Sequence, residues 1–141
     1  MRFSSPATIH QLAFQRLKSE PAGSALRALL GAAGASVIPA TELGKAALPP
    51  RPFVAYRPGA TTNVLGIDQH QAAWWVYDDP AQGTWRIDQV VAALAPAYLL
   101  ERGAAPLPSP AGPVRLVAAD EPREDLALGL RCRRVTLAID A

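Results

Sequence analysis

Two histidines and one cysteine in 141 residues leave little from which to build a metal centre or a disulfide framework. Cys132 alone excludes any internal disulfide. His10 and His70 stand about sixty positions apart, with no cysteine or acidic partner at ligand spacing, and read as ordinary surface or interface histidines. Long apolar runs are also missing. The most apolar stretch, ALRALLGAAGASVIPA, carries Arg27 and is broken by glycines, so it does not span a bilayer. The opening MRFSSPATIHQLAFQRLKSE is charged throughout and lacks the apolar core of a signal peptide, so a soluble protein without an address label is expected. A net charge of +2 is too small to argue for a nucleic acid or membrane surface as partner. No phosphate-cradling loop occurs, since GAAGAS has the wrong spacing and no lysine, and no G-x-S-x-G elbow is present.

What is present describes a globular chain. Half of the residues are apolar and 18% charged, and the length suits one domain, 1–141, with a real core. The 14 prolines and 10 glycines fall in clusters and mark ordered loops. Ser5 and Pro6 open a helix to about Ser19, with Ile9, Leu12, Ala13 and Leu17 on one stripe. A short second helix follows Ser24. Val37–Ile38 reads as a brief extended piece before a proline-rich loop, residues 39–52. PFVAYRPG is a strand signal, with Pro58 suited to its exit. GATTNVLGIDQ connects it to the strongest strand, Gln69–Asp78, and could extend a hairpin. In TWRIDQVVAALAPAY the residues Ile87, Val91, Leu94 and Tyr98 form a helical stripe, with Pro96 expected to kink it or split off its last turn. A proline-rich connector, residues 103–113, precedes strands at Pro113–Ala119 and Leu128–Ile139, joined by the charged turn DEPRED. This order predicts an α+β fold: a mainly antiparallel sheet of about four strands, with the N-terminal helices and one central amphipathic helix packed on one face.

No group of residues makes a convincing catalytic set. Asp78, Asp79 and Asp88 end a strand or begin a helix, where turn formation, capping and the helix dipole account for them. Asp120, Glu121, Glu124 and Asp125 lack the calcium-loop pattern and read as a solvated turn. Arg131 and Arg133 share one strand face, while Arg134 joins Leu130 and Cys132 on the other. The first two could meet phosphates, pair with carboxylates of a neighbouring subunit, or solvate an edge. Cys132 reads as core filler. The expectation is no enzyme, no cofactor and no metal.

The run HQAAWWVYDD carries the most information. Successive side chains of a strand point to opposite faces, so Trp74 and Trp75 cannot share one core. Trp74 and Val76 are expected inside with Ile87, Val91, Leu94 and Tyr98. Trp75 and Tyr77 then form an apolar pair on the opposite face. Either a neighbouring subunit, or loop 39–52 or the proline-rich connector, must cover them.

A short N-terminal helix pair, PFVAYRPG, HQAAWWVYDD, TWRIDQVVAAL and the closing DEPREDLALGLRCRRVTLAID together resemble the tail terminator proteins of long-tailed bacteriophages, also called tail-completion or tail-to-head joining proteins. The resemblance runs from about Ala25 to the end. It implies a homo-oligomeric ring, usually of six subunits, on top of the tail tube. Such a ring stops tube polymerisation and joins the tail to the head connector. The implied partners are other copies of the chain, the tail tube protein and the head connector or stopper protein. DNA would pass through the channel without specific binding, and no membrane is involved. The implied place is the virion tail or neck, assembled in the host cytoplasm. Trp75, Tyr77, Arg131 and Arg133 are then candidates for the lateral interface, and loops 39–52, 59–69 and 103–113 for the two ring faces. A neck or stopper protein, or a small ligand-binding α+β domain, are the alternative readings.

Overall fold

The structure, a computed structural model, describes residues 5–45 and 47–141. It is α+β. Among the described residues, three α-helices, α1 (Pro6–Lys18), α2 (Ser24–Arg27) and α3 (Trp85–Tyr98), accompany six strands. These are β1 (Val37–Pro39), β2 (Phe53–Val64), β3 (Ile67–Asp78), β4 (Val114–Ala119), β5 (Arg123–Asp125) and β6 (Leu130–Asp140). The sheet runs β1-β2-β3-β6-β4, with β5 also paired to β6. Its four long strands are antiparallel neighbours, as the sequence leads one to expect. Two three-residue strands enlarge it. β1 pairs parallel to β2 and makes the sheet mixed, and β5 forms within DEPRED, which therefore is not a plain turn. Strands of three residues leave too little alternation to be read from sequence.

One face of the sheet holds the main core. Val54, Tyr56, Trp74, Val76, Val135, Leu137 and Ile139 meet Ile9, Ala13 and Leu17 of α1 and Ile87, Val90 and Leu94 of α3. Trp74 is fully buried, stacked on Phe14 with centroids 6.1 Å apart, and its indole N–H donates to Tyr98 Oη at 2.9 Å. Val90 rather than Val91 lies fully inside; Val91 packs at the margin of the cluster. The buried stripe runs Ile87, Val90, Leu94, Ala97 and Tyr98, a broader face than the expected set and turned toward the Val90 and Ala97 side. α3 continues unbroken through Pro96 to Tyr98. The bond lost there belongs to the carbonyl of exposed Ala92, on the solvent side of the helix and near its end.

Polar groups buried in this core tie distant segments together. Arg16, 1% exposed, donates from Nη1 to the carbonyls of Ala97 and Ala105 (2.8 Å each) and from Nη2 to Pro106 at 2.9 Å, while its Nε bonds Glu20. These bonds draw the proline-rich connector onto the helical side, where Leu107 joins the core. The connector therefore does not cover Trp75 and Tyr77. Asp78 is fully buried at the end of β3 and accepts two bonds from Arg86, besides the Asp79 N–H.

Pro58 does not end β2. The strand passes through it and shifts register between Pro58 and Thr61, with Gly59 so close to β3 that a Cβ would lie 2.9 Å from the Gln71 carbonyl. β1 has already stopped at the Pro39–Tyr56 pair, so Pro58 stands where β2 is an edge, a position that tolerates a proline. Beyond it the strand pairs with β3 to the end of the hairpin. Val64 faces Ile67 across the two-residue turn Leu65-Gly66, whose φ angles of 51° and 83° are both positive, as a type I′ turn requires.

Candidate functional site

The second sheet face carries an aromatic row. Phe53 stacks on Tyr77 with centroids 5.0 Å apart, and Tyr77 on Trp75 at 6.5 Å. Ala55, Leu130 and Cys132 complete a small core, with Ile38 of β1, Ala40, Leu43 and Leu48 of the 39–52 region, and Leu128 packed against it. Tyr77 is thus buried by its own chain. Trp75 is half-buried, with the Arg123 guanidinium 4.9 Å and that of Arg134 5.5 Å from its ring centroid. Both guanidiniums pack against the one indole. Burial pushes the Cys132 thiol up, which suits core packing and opposes thiolate chemistry.

Arg131 and Arg133 lie on the other face. Arg133 donates from Nη1 to Asp88 at 2.9 Å and from Nε to the Asp120 carbonyl at 2.8 Å. Arg131 stands 3.7 Å from Glu124. The four residues expected at a subunit interface therefore do not form one surface: Trp75 and Tyr77 are on one side of the sheet, Arg131 and Arg133 on the other. Asp78, Asp79 and Asp88 each have an arginine of this chain, Arg86, Arg51 and Arg133, so they form no shared carboxylate pair.

His10 and His70 are not surface residues. They lie side by side on the helical face, ring centroids 6.0 Å apart, His70 fully buried. His10 Nδ1 is 2.7 Å from Tyr56 Oη, and His70 Nδ1 is 2.8 Å from Thr61 Oγ1. Each Nε2 lacks a hydrogen-bond partner among the described residues. No three histidine, cysteine or acidic side chains among the described residues come together as a metal-holding group. Burial, and after it the neighbouring His70, hold His10 below its ordinary value of 6.5. A histidine with a lowered folded pKa takes up its proton more readily when unfolded. Its contribution to stability is complete above about pH 6.5 and is lost as the pH falls from there through the folded pKa. The melting temperature is expected to fall as the pH drops below about 6.5, and His10→Gln to flatten that slope; an unchanged slope would show that other groups set it.

Two further features were not legible as sites. A groove of about 680 Å³ lies between α1 (Ala7, His10, Phe14), the end of β1 (Pro39) and the outer edge of β2 (Arg57, Pro58). The second is the outer hairpin. Every residue from 57 to 67 is exposed, Leu65 at 98%, with Val64 and Ile67 beside it. β2 runs eight residues past the end of β1, and the tip passes the Gln69–Asp140 pair where β6 ends. A glycine-flanked apolar turn offered a signal for the tip. The groove, built from three separated segments, offered none.

Among the described residues no helix is long and apolar enough to cross a membrane. No family model matches the chain, and no curated protein matches it. The fold and surface define an α+β domain with a closed core and a hairpin left outside it.

Proposed function

We propose that this chain is a structural assembly protein, a phage tail terminator, whose copies form a ring of six on the tail tube. The ring stops tube polymerisation and presents its other face to the head connector, and DNA passes through its channel without specific contacts. The observation that carries this reading is the outer half of the β2–β3 hairpin, an arm exposed from 57 to 67 with apolar residues at its tip. Exposed apolar groups gathered at one place on a folded chain mark a surface meant for a partner. Rotational repetition of one such head-to-tail contact closes a ring. The four long antiparallel strands under a layer of helices agree with the element order on which the resemblance rests.

Light scattering and negative-stain imaging of the purified protein test the reading, with tail tubes added in a second experiment. Rings that cap the tubes are the expected result. A strict monomer at high concentration that also leaves tubes uncapped would overturn it. Rings that bind the head connector but ignore tubes would favour the neck or stopper reading.

A further inference from the structure

We propose that the ring contact is a knob-in-groove joint, in which the Leu65 tip of one copy seats in the groove between α1 and the β2 edge of the next. The inference rests on the assembly reading above and names the surface that would carry it.

Four observations support the pairing. The tip is apolar and fully presented: Leu65 is 98% exposed, Ile67 51% and Val64 46%. The groove is concave and largely apolar, with a volume in the range of about 300–1,000 Å³ typical of sites that bury a compact group. Charge is complementary. Arg57 lines the groove and no carboxylate does, whereas the tip, residues 63–68, carries Asp68 as its one charged group. Finally, Leu65 is the wrong residue for its own turn. A type I′ turn favours asparagine, aspartate or glycine where φ is positive, and a branched apolar side chain gains nothing there from solvent. Local rules broken in the open are kept where the residue serves something outside the fold.

The tip cannot fill its own groove. Leu65 lies six positions beyond Gly59 along the hairpin, about 20 Å at strand rise. The occupant is therefore another copy, and because knob and groove are different patches, the contact is head-to-tail. Beside the groove, β2 past Tyr56 has no described strand on its outer edge. That edge gives an incoming hairpin main-chain polar anchors beside the apolar contact.

A mixing experiment with full-length chains tests this. Leu65→Cys protein and Ala7→Cys protein are combined and treated with a short bis-maleimide. A covalent dimer is expected from the mixture and none from either protein alone, since Cys132 is buried. Leu65→Asp should keep its far-ultraviolet spectrum and melting temperature, because aspartate suits the turn, yet lose assembly by at least about tenfold in concentration. Arg57→Asp and Asp68→Arg should each weaken assembly and together restore part of it. Leu126→Asp, at another well-exposed leucine elsewhere, should change nothing. If the unaltered chain forms rings but the mixture gives no dimer and Leu65→Asp still assembles, the joint is overturned while the assembly reading stands. If the unaltered chain never leaves the monomer, both fall.

Discussion

Trp74→Ala is expected to lower the unfolding free energy by about 3–5 kcal/mol in urea titration, the range for deleting a large buried aromatic. The indole is fully buried against Phe14 and Tyr56. Its removal leaves a cavity between sheet and α1. It also takes from Tyr98 Oη the donor that joins β3 to α3, while that hydroxyl still donates to the Ala13 carbonyl. Its neighbour makes the comparison sharp. Trp75→Ser, on the other face, removes a half-buried ring lying between two guanidiniums, an exposed type of contact contributing about 0.5–1 kcal/mol for each cation. If the two substitutions cost the same, the assignment of faces fails.

Arg16→Ala is expected to cost a similar amount, about 3–5 kcal/mol, since each buried acceptor left without a donor costs about 1–3 kcal/mol. Three main-chain carbonyls, one at the end of α3 and two in the connector, accept from this guanidinium. Alanine would leave them without a donor and open a void in the helical layer. Arg16→Lys should recover only part of the loss, because an ammonium cannot present a planar fork to acceptors on three sides. Thermal unfolding of the pair checks this, and full recovery by lysine would show that charge alone matters there.

These two residues also mark how far the sequence could be read. Trp74 was legible because strand alternation needs only near neighbours: Val76 beside it and Trp75 on the reverse settle the face. Ile87, Leu94 and Tyr98 were legible for the same reason at a helical period. Arg16 was not. Its acceptors are 81 to 90 residues away, and a charged residue enters a core only when such partners wait for it. His10 and Asp78 follow the same rule, the first through Tyr56 and the second through Arg86, and both read as surface or turn residues from sequence. The candidate joint divides in the same way. The Leu65-Gly66 turn is local, whereas its socket exists only once α1, β1 and β2 have come together.

The position of β6 bears on how the fold is reached. This strand comes last among the elements yet sits between β3 and β4, and its partners on β3 are about sixty residues earlier in the chain. The β2–β3 hairpin can form early from local contacts, but its inner edge stays open until residues 130–140 arrive. Closing so long a loop is slow, and folding limited by it should be slow as well. A chain cut before Leu130 would retain the hairpin and the helices around a gap at the centre of the sheet. The domain would be committed to its native state by its final strand, and the open edge of β3 is where an interrupted chain would self-associate.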